Sequence, residues 1–401
     1  MKILHVLDHS LPLETGYSIR TKYIMEFQKK LGLSPVGITS PKYMSSTQRF
    51  EKIDGIIYYR TQILPNIYTK LASGIPYLRE NLLMSNFKRH ILKIALDDCI
   101  QIIHAHSPVL YGLPAYEIAR QSNLPFIYEV RGLWEDSAVA KGKWTEKSVK
   151  YRLTKFLETQ LFKKTKTIVT ICNSIKERIV QRGIEDDKIY VIPNGVDTSK
   201  FIPLPKDKKL IIKYQLSDYL VIGFIGTLHR YEGVEYIIKA MNLILKNHKK
   251  TKLLIIGDGE DKNRLQQITQ ASGLNDVIFI GKIPHTHILN HYSIMDILVY
   301  PRVSQRVTAS VTPLKPLEAM SMAKPVIGSD VGGLKELIQD NQTGLLFKAE
   351  DANDLADKCL ALLLNENRRK EIELQARNDM VKNRNWEIIV KKYLEIYEKI
   401  H

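Results

Sequence analysis

What most restricts the fold open to this 401-residue chain is a rhythm that runs twice: short β-branched runs alternating with helix-length amphipathic segments. In the first half, KILHVLD, PVGIT, IIHAH, FIYEV, TIVTI and IYVIP read as strands; in the second, YLVIGFIGT, KLLIIGDG, VIFIGK, ILVYP, PVIGSD and GLLF do. A parallel pair needs a long crossover between its strands, and the crossover helices bury both faces of the sheet, so this alternation predicts parallel sheets covered by helices. A chain this long outgrows one core, which stops growing beyond about 250–300 residues. The Pro- and Lys-rich stretch TSKFIPLPKDKKLIIKYQLSD, residues 198–218, reads as the linker. The expected architecture is α/β, with Rossmann-like domains over 1–197 and 198–380 and a cleft between them. The segment over 381–401, containing WEIIVKKYLEIYEKI, should form a terminal helix packed on one of the domains.

In open α/β sheets ligands bind beyond the carboxyl ends of the strands, so the residues there are the candidates. One such stretch is TASVTPLKPLEAMSMAKPVI, residues 308–327. Proline fits a helix only in its first turn, so Pro313 and Pro316 force a helix start between Thr312 and Pro316. The amides of Leu314, Lys315 and Leu317 then lie at an end that suits a phosphate, and Lys315 adds a charge there. Side chains lean toward the helix N-terminus, so Glu318 reaches hydroxyls beside that phosphate, which suggests a nucleotide. A capped core helix with an ordinary first-turn acid is the alternative.

Other strand ends add candidates. Gly16, in HSLPLETGYSIRT, lets backbone approach an anion, although a glycine in a turn is commonplace. His104 and His106 share one face of IIHAH by the two-residue period, with His106 nearer the strand end, and FIYEVRGLWED places Glu129 and Arg131 after the next strand. Arg131 suits a phosphate clamp or a salt bridge within its loop. GFIGTLHRYEG offers Gly226 and Thr227, then Arg230, and PRVSQR puts Arg302 and Arg306 just upstream of Lys315. Two arginines, a lysine, a helix end and a glutamate within residues 302–318 exceed what core packing requires.

Charge and cysteine usage narrow the class. Cys99, Cys172 and Cys359 are far apart, with no metal-ligand spacing, which fits a reducing cytosol without disulfides or zinc. The N-terminus is too short an apolar run for a signal peptide, and no run is long enough to span a bilayer. The net charge of +16 concentrates in KGKWTEKSVKYRLTKFLETQLFKKTK, residues 141–166, where basic residues interleave with Trp144, Tyr151, Phe156, Leu157, Leu161 and Phe162. That pattern suits anionic lipid headgroups at the inner face of a membrane, or an ordinary helix with a core-facing stripe. No stacking or base-reading module accompanies the charge, so nucleic acid is not an expected partner.

Together, VIPNGVD, GFIGTLHRYEGVEYIIKA, KLLIIGDGED, VIFIGKIPHTHILNHYSIMDILVYP, TPLKPLEAMSMAKPVIGSDVGGLKELI and TGLLF resemble the family 4 retaining glycosyltransferases of the GT-B fold. SLPLETGYSIRT, HAHSP and YEVRGLWEDS resemble one branch of that family. The resemblance implies an acceptor-side domain over 1–197, a nucleotide-sugar domain over 198–380, and a terminal helix over 381–401 that packs back on the N-terminal domain. It implies transfer of a sugar from a nucleotide diphosphate sugar to a glycan or lipid-linked acceptor. Glu318 matches the second glutamate of the family's E-x7-E element, on the donor ribose, and Leu314 and Lys315 match diphosphate positions. Gly16 matches the glycine of the N-terminal loop, Ile283 the position whose main chain reads the base, and Gly226 and Thr227 lie in the donor loop. His106, Arg131 and Glu129 fall among the polar groups placed near the transferred sugar and acceptor.

The chain departs from the pattern at three places. The first glutamate of E-x7-E is Ser310, and the family's Arg and Lys after the first C-terminal strand fall at Thr227 and Glu232. Arg302, Arg306 and Lys315 are expected to supply the missing positive charge, with no cofactor and no metal, since no Asp-x-Asp pair stands in the cleft loops. A sugar-nucleotide epimerase of the same fold, or a membrane-associated homologue that has lost donor binding, stays open as an alternative.

Overall fold

The structure, a computed structural model, describes residues 1–43, 48–61 and 78–401. Contacts divide them into one unit of Met1–Pro193 with Trp386–His401, and a second of Asn194–Asn385.

Unit 1 runs β1 (Lys2–Leu7), α1 (Gly16–Lys30), β2 (Ser34–Thr39), β3 (Phe50–Ile53), β4 (Ile56–Arg60), α2 (Leu78–Asp97), β5 (Ile102–His106), α3 (Val109–Gln121), β6 (Phe126–Val130), α4 (Trp134–Ala140), α5 (Val149–Lys164), β7 (Thr167–Thr170), α6 (Asn173–Val180) and β8 (Ile189–Val191). The sheet order is β3-β4-β2-β1-β5-β6-β7-β8. The chain moves outward from β1 through β2, then returns to the other side of β1 with β5. The strand order therefore reverses between β1 and β5, the place where such sheets bind ligands. Thr15 starts α1 by accepting the Ser18 amide at 3.2 Å, and Tyr23, Ile24 and Phe27 bury one face of the helix.

Every pairing is parallel except β3 with β4. That hairpin was absent from the expected strands. It closes at Asp54 and Gly55, whose φ values of 51° and 77° make the two-residue turn favoured between right-twisted strands. Asp-Gly between apolar residues was its signal in the sequence.

Unit 2 runs α7 (Lys208–Lys213), β9 (Leu220–Ile225), α8 (Val234–Asn247), β10 (Thr251–Ile256), α9 (Lys262–Ala271), β11 (Val277–Gly281), α10 (Ile288–Ser293), β12 (Ile297–Tyr300), α11 (Arg306–Ser310), α12 (Lys315–Ser321), β13 (Val326–Ser329), α13 (Gly332–Lys335), β14 (Leu345–Phe347), α14 (Ala352–Leu363) and α15 (Glu366–Asn383). Its sheet is wholly parallel, ordered β11-β10-β9-β12-β13-β14, so this order reverses between β9 and β12. β12 and β13 are buried along their whole length, as strands covered on both faces must be. Two glycines let the loops close over the strand ends. Gly233 (φ 67°) and Gly257 (φ 145°) have left-handed backbones, and an added Cβ would strike the carbonyl oxygens of Pro301 and Gly226.

The stretch over 198–218 is more than a linker. Phe201 is buried in the core of unit 2, and Arg377 Nη1 donates to its carbonyl at 2.9 Å. The joint accordingly lies between Pro193 and Asn194. The last helix, α16 (Trp386–Ile400), begins after α15 ends and belongs to unit 1. Its Trp386 is fully buried, stacked on Tyr23 at 5.9 Å. Among the described residues no helix is long and apolar enough to cross a membrane.

Candidate functional site

The reversal point of unit 1 holds a buried polar ring whose proton positions follow from one constraint. A guanidinium only donates, so His106 Nδ1 accepts from Arg131 Nη2 at 2.8 Å. His106 Nε2 then donates to His5 Nδ1 at 2.9 Å, and His5 Nε2 to Gln28 Oε1 at 2.9 Å. Gln28 Nε2 donates to the Tyr397 hydroxyl at 2.8 Å, which donates to His104 Nδ1 at 2.8 Å. His104 Nε2 faces Glu129 Oε2 at 3.3 Å, and Glu129 Oε1 accepts from Arg131 Nε at 2.8 Å, closing the ring. Arg20 Nε at 3.0 Å and the Tyr393 hydroxyl also donate to Glu129. Glu129 Oε1 thereby accepts two hydrogen bonds and Oε2 one, with His104 Nε2 close by.

The electrostatics follow from burial and neighbours. Burial first, then His104, holds His5 well below its ordinary pKa; burial and Arg131 do the same to His106, and burial lowers His104. Burial pushes the Glu129 carboxyl up, but Arg20 and Arg131 outweigh it and hold it well below the usual range. The three imidazoles bring ligand atoms within 4.8 Å of one another, close enough for a metal ion. Five of their six nitrogens are instead hydrogen-bonded to one another, Gln28, Tyr397 and Arg131, the sixth, His104 Nε2, faces Glu129 at 3.3 Å, and a guanidinium beside the cluster disfavours a second cation.

The ring is where the structure places His106, Glu129 and Arg131. The structure brings them together, but His106 and Glu129 are fully buried with every polar atom committed, and Arg131 also donates to the Tyr17 carbonyl and the Thr21 hydroxyl. The ring and these contacts take up both ring nitrogens of His106 and four of the five N–H donors of Arg131. What reaches the surface are residues the sequence reading did not select. Asp8 Oδ2 lies 2.6 Å from His9 Nδ1, and His9 Nε2 lies 2.7 Å from Thr15 Oγ1. The Tyr17 ring packs on His9 at 4.7 Å and under the Arg131 guanidinium at 4.4 Å. Gly16 opens α1 beside them, with clear space where a Cβ would stand.

In unit 2, α12 starts where the prolines demand, with Leu314 as its cap and Pro316 in the first turn. Glu318 is buried, and its Oε2 accepts from Lys315 Nζ at 2.9 Å and from the Tyr292 hydroxyl at 3.0 Å. Gly226 follows β9 directly, its amide bound to the Ile256 carbonyl at 3.0 Å, and Thr227 comes next, exposed. Arg306 is an exposed first residue of α11. Ile283 lines a pocket of about 500 Å³ with Leu210, Tyr214 and His291.

Arg302 is paired within its own unit. Its Nε and Nη2 donate to both oxygens of Glu232, at 3.1 and 2.8 Å, and its Nη1 to the Val311 carbonyl at 2.9 Å. Glu232 therefore does more than lack the family's positive charge; it neutralises the arginine meant to replace it. Arg302 thus links two of the three departures, Glu232 and Ser310, since Val311 adjoins Ser310.

Two doubly wound parallel sheets in one chain, each with its polar residues at the reversal of strand order, define the GT-B class of glycosyltransferase. Glycosyltransferase Family 4 matches residues 49–200 and Glycosyl transferases group 1 matches residues 207–379. The chain belongs to the family 4 glycosyltransferases of GT-B fold. It is 23% identical over 410 residues to a GDP-mannose-dependent alpha-mannosyltransferase of Mycobacterium tuberculosis, covering 100% of this chain and 97% of the other. It is 26% identical over 325 residues to the capsular polysaccharide biosynthesis glycosyltransferase CapM of Staphylococcus aureus, covering 76% and 78%. The crystal structure of Anabaena HepE in complex with UDP has the same fold, with a TM-score of 0.77 and 16% identity over 100% of both chains.

Proposed function

We propose that this glycosyltransferase moves a sugar from a nucleotide diphosphate donor to an acceptor hydroxyl with retention, in assembly of a surface polysaccharide or lipid-linked glycan. The observation that carries this reading is the Lys315–Glu318 pair. The Lys315 side chain is 31% exposed while Glu318 is buried behind it. A diphosphate offers Lys315 more negative charge than one carboxylate does, so Lys315 turns to the phosphates and Glu318 is left to accept from ribose hydroxyls. The amides of Leu314 and Lys315, with the Gly226–Thr227 backbone, complete a preorganised seat for charge that grows as the diphosphate leaves. The Ile283 main chain reads the base, and Arg306 adds to the field. The UDP held by HepE and the GDP-mannose used by the mycobacterial relative support a donor of this class. CapM supports the polysaccharide assignment.

The acceptor is brought by an anionic membrane surface in this reading. Tyr151, Leu161 and Phe162 fix α5 to its unit, whereas Val149 and Phe156 stand 72% and 58% exposed near Lys143, Lys147, Lys150 and Lys155. Incubation with nucleotide sugars and a polyprenyl-linked acceptor, with NMR of the product, tests the proposal. A glycoside with the donor's anomeric configuration is expected. An inverted glycoside, or a converted sugar nucleotide that forms without acceptor, overturns it.

A further inference from the structure

Resting on that reading, we propose that Tyr292 is the positioning residue of the donor site: its hydroxyl holds one oxygen of Glu318 in place so that the other faces the ribose, whichever way Lys315 turns. Both side-chain contacts of Glu318 fall on Oε2, at 3.0 Å from the Tyr292 hydroxyl and 2.9 Å from Lys315 Nζ. The two donors differ in permanence. Lys315 reaches solvent on a flexible four-carbon stem, whereas Tyr292 is fully buried and turns about two torsions.

Packing fixes the phenol where the carboxylate needs it. Tyr292, from α10, lies edge-on to Phe201 at 6.4 Å inside the core of unit 2. Its other contact, to the Lys315 carbonyl, is longer at 3.4 Å, so its single proton goes to Glu318. Tyr300, the last residue of β12, is buried near both groups, yet among the described residues its hydroxyl finds no hydrogen-bond partner. It therefore does not compete with Tyr292 for Glu318. Burial first, then Glu318 and Tyr300, pushes the Tyr292 phenol well above its ordinary pKa. Tyr292 stays protonated and remains a donor.

The consequence appears when Lys315 turns to the phosphates. Glu318 then loses that cation while still buried, and a buried carboxylate without partners is costly. The Tyr292 hydroxyl offsets part of this cost and keeps Oε2 turned away from the ligand. Oε1 is the oxygen left to the donor, and one carboxylate oxygen can accept two hydrogen bonds, enough for adjacent hydroxyls of one ribose. A site built to receive a hydroxyl rejects an analogue that lacks it, because the protein group is left unpaired. Tyr292 thus makes the site selective for a ribonucleotide, by acting through Glu318 and without touching the ligand.

The test is calorimetric titration of the full chain with UDP and GDP and with their deoxyribose forms, dUDP and dGDP. For the base that binds, the parent should prefer the ribonucleotide by about tenfold, the worth of a hydrogen bond to a charged group. Tyr292→Phe should shrink that preference to about threefold or less, with the deoxynucleotide binding as it does to the parent. Lys315→Ala should weaken both nucleotides and leave the preference at its parent value. A merely structural Tyr292 would weaken ribonucleotide and deoxynucleotide together with their ratio unmoved, and that result overturns this assignment alone. So does a preference that disappears in Lys315→Ala, a measurement that stands even where Tyr292→Phe does not fold. A parent that binds the two sugars alike, or binds no nucleoside diphosphate, overturns the reading beneath it as well.

Discussion

Glu129 in unit 1 and Glu318 in unit 2 are both buried carboxylates at the ligand end of a parallel sheet, yet their surroundings differ in kind. Glu129 accepts from Arg20, Arg131 and Tyr393 and lies 3.3 Å from His104 Nε2, groups drawn from two helices, a strand and a loop. Glu318 is met by a lysine one turn away and by Tyr292. A closed network offsets the desolvation of its charges only while every member is present, so it holds geometry and does not exchange partners. A short pair with an exposed lysine exchanges its partner when a stronger anion arrives. Unit 1 thus holds a rigid network beneath Tyr17, and unit 2 holds the pair that, in the proposed function, changes partner when the donor binds.

The largest effect should separate the two units by acid. Buried His5, His104 and His106 resist protonation, whereas the unfolded chain takes up protons at histidine from about pH 6.5 downward. The unfolded state then binds more protons, so stability is whole above that pH and falls below it, by up to about 1.4 kcal/mol per pH unit for each histidine. The depressed Glu129 carboxyl adds a loss only at lower pH, below its ordinary range. A urea midpoint that stays constant from pH 7 to 5 would show that the ring is not closed.

Glu129→Gln should come next, since it leaves two buried guanidiniums without their shared anion. The expected cost is about 3–5 kcal/mol in denaturant unfolding of unit 1. Lys315→Ala should weaken nucleoside diphosphate binding by about 1.5–3 kcal/mol with little change in unfolding. The reverse outcome, a stability loss without a binding loss, would make Lys315 a structural partner of Glu318. Glu232→Gln should release Arg302 and tighten the same titration by about tenfold, the worth of a modest charge-assisted contact. Unchanged affinity would place Arg302 away from the diphosphate. The smallest effect belongs to the surface of α5. Changing Lys143, Lys147, Lys150 and Lys155 to glutamate should cost about 1 kcal/mol of vesicle binding per residue, visible as lost co-sedimentation with anionic liposomes in low salt.

Most strands were legible because a buried parallel strand is a short apolar run whatever it packs against. The hairpin of β3 and β4 had a signal, Asp54-Gly55, that reading for parallel strands passes over. The start of α12 was fixed by two prolines, a constraint that acts within a few residues. The stacking of His104 on His106, centroids 4.4 Å apart, follows from the period of a strand. The fate of Arg302 was not legible, because Glu232 lies 70 residues away and meets it only when the loops after β9 and β12 adjoin.

The sequence alone determined what local chemistry dictates: two rounds of parallel α/β structure, strand ends rich in charge, and a helix forced to begin at Lys315. Tertiary structure decided which charges remain available. Hydrogen bonds and ion pairs act over a few ångströms in space and take no account of separation along the chain. His106, Glu129 and Arg131 stood at strand ends in the sequence and were drawn into one buried network with Tyr393 and Tyr397 from the far terminus. Asp8 and His9, unremarked at the end of the first strand, were left at the surface because the ring closed behind them.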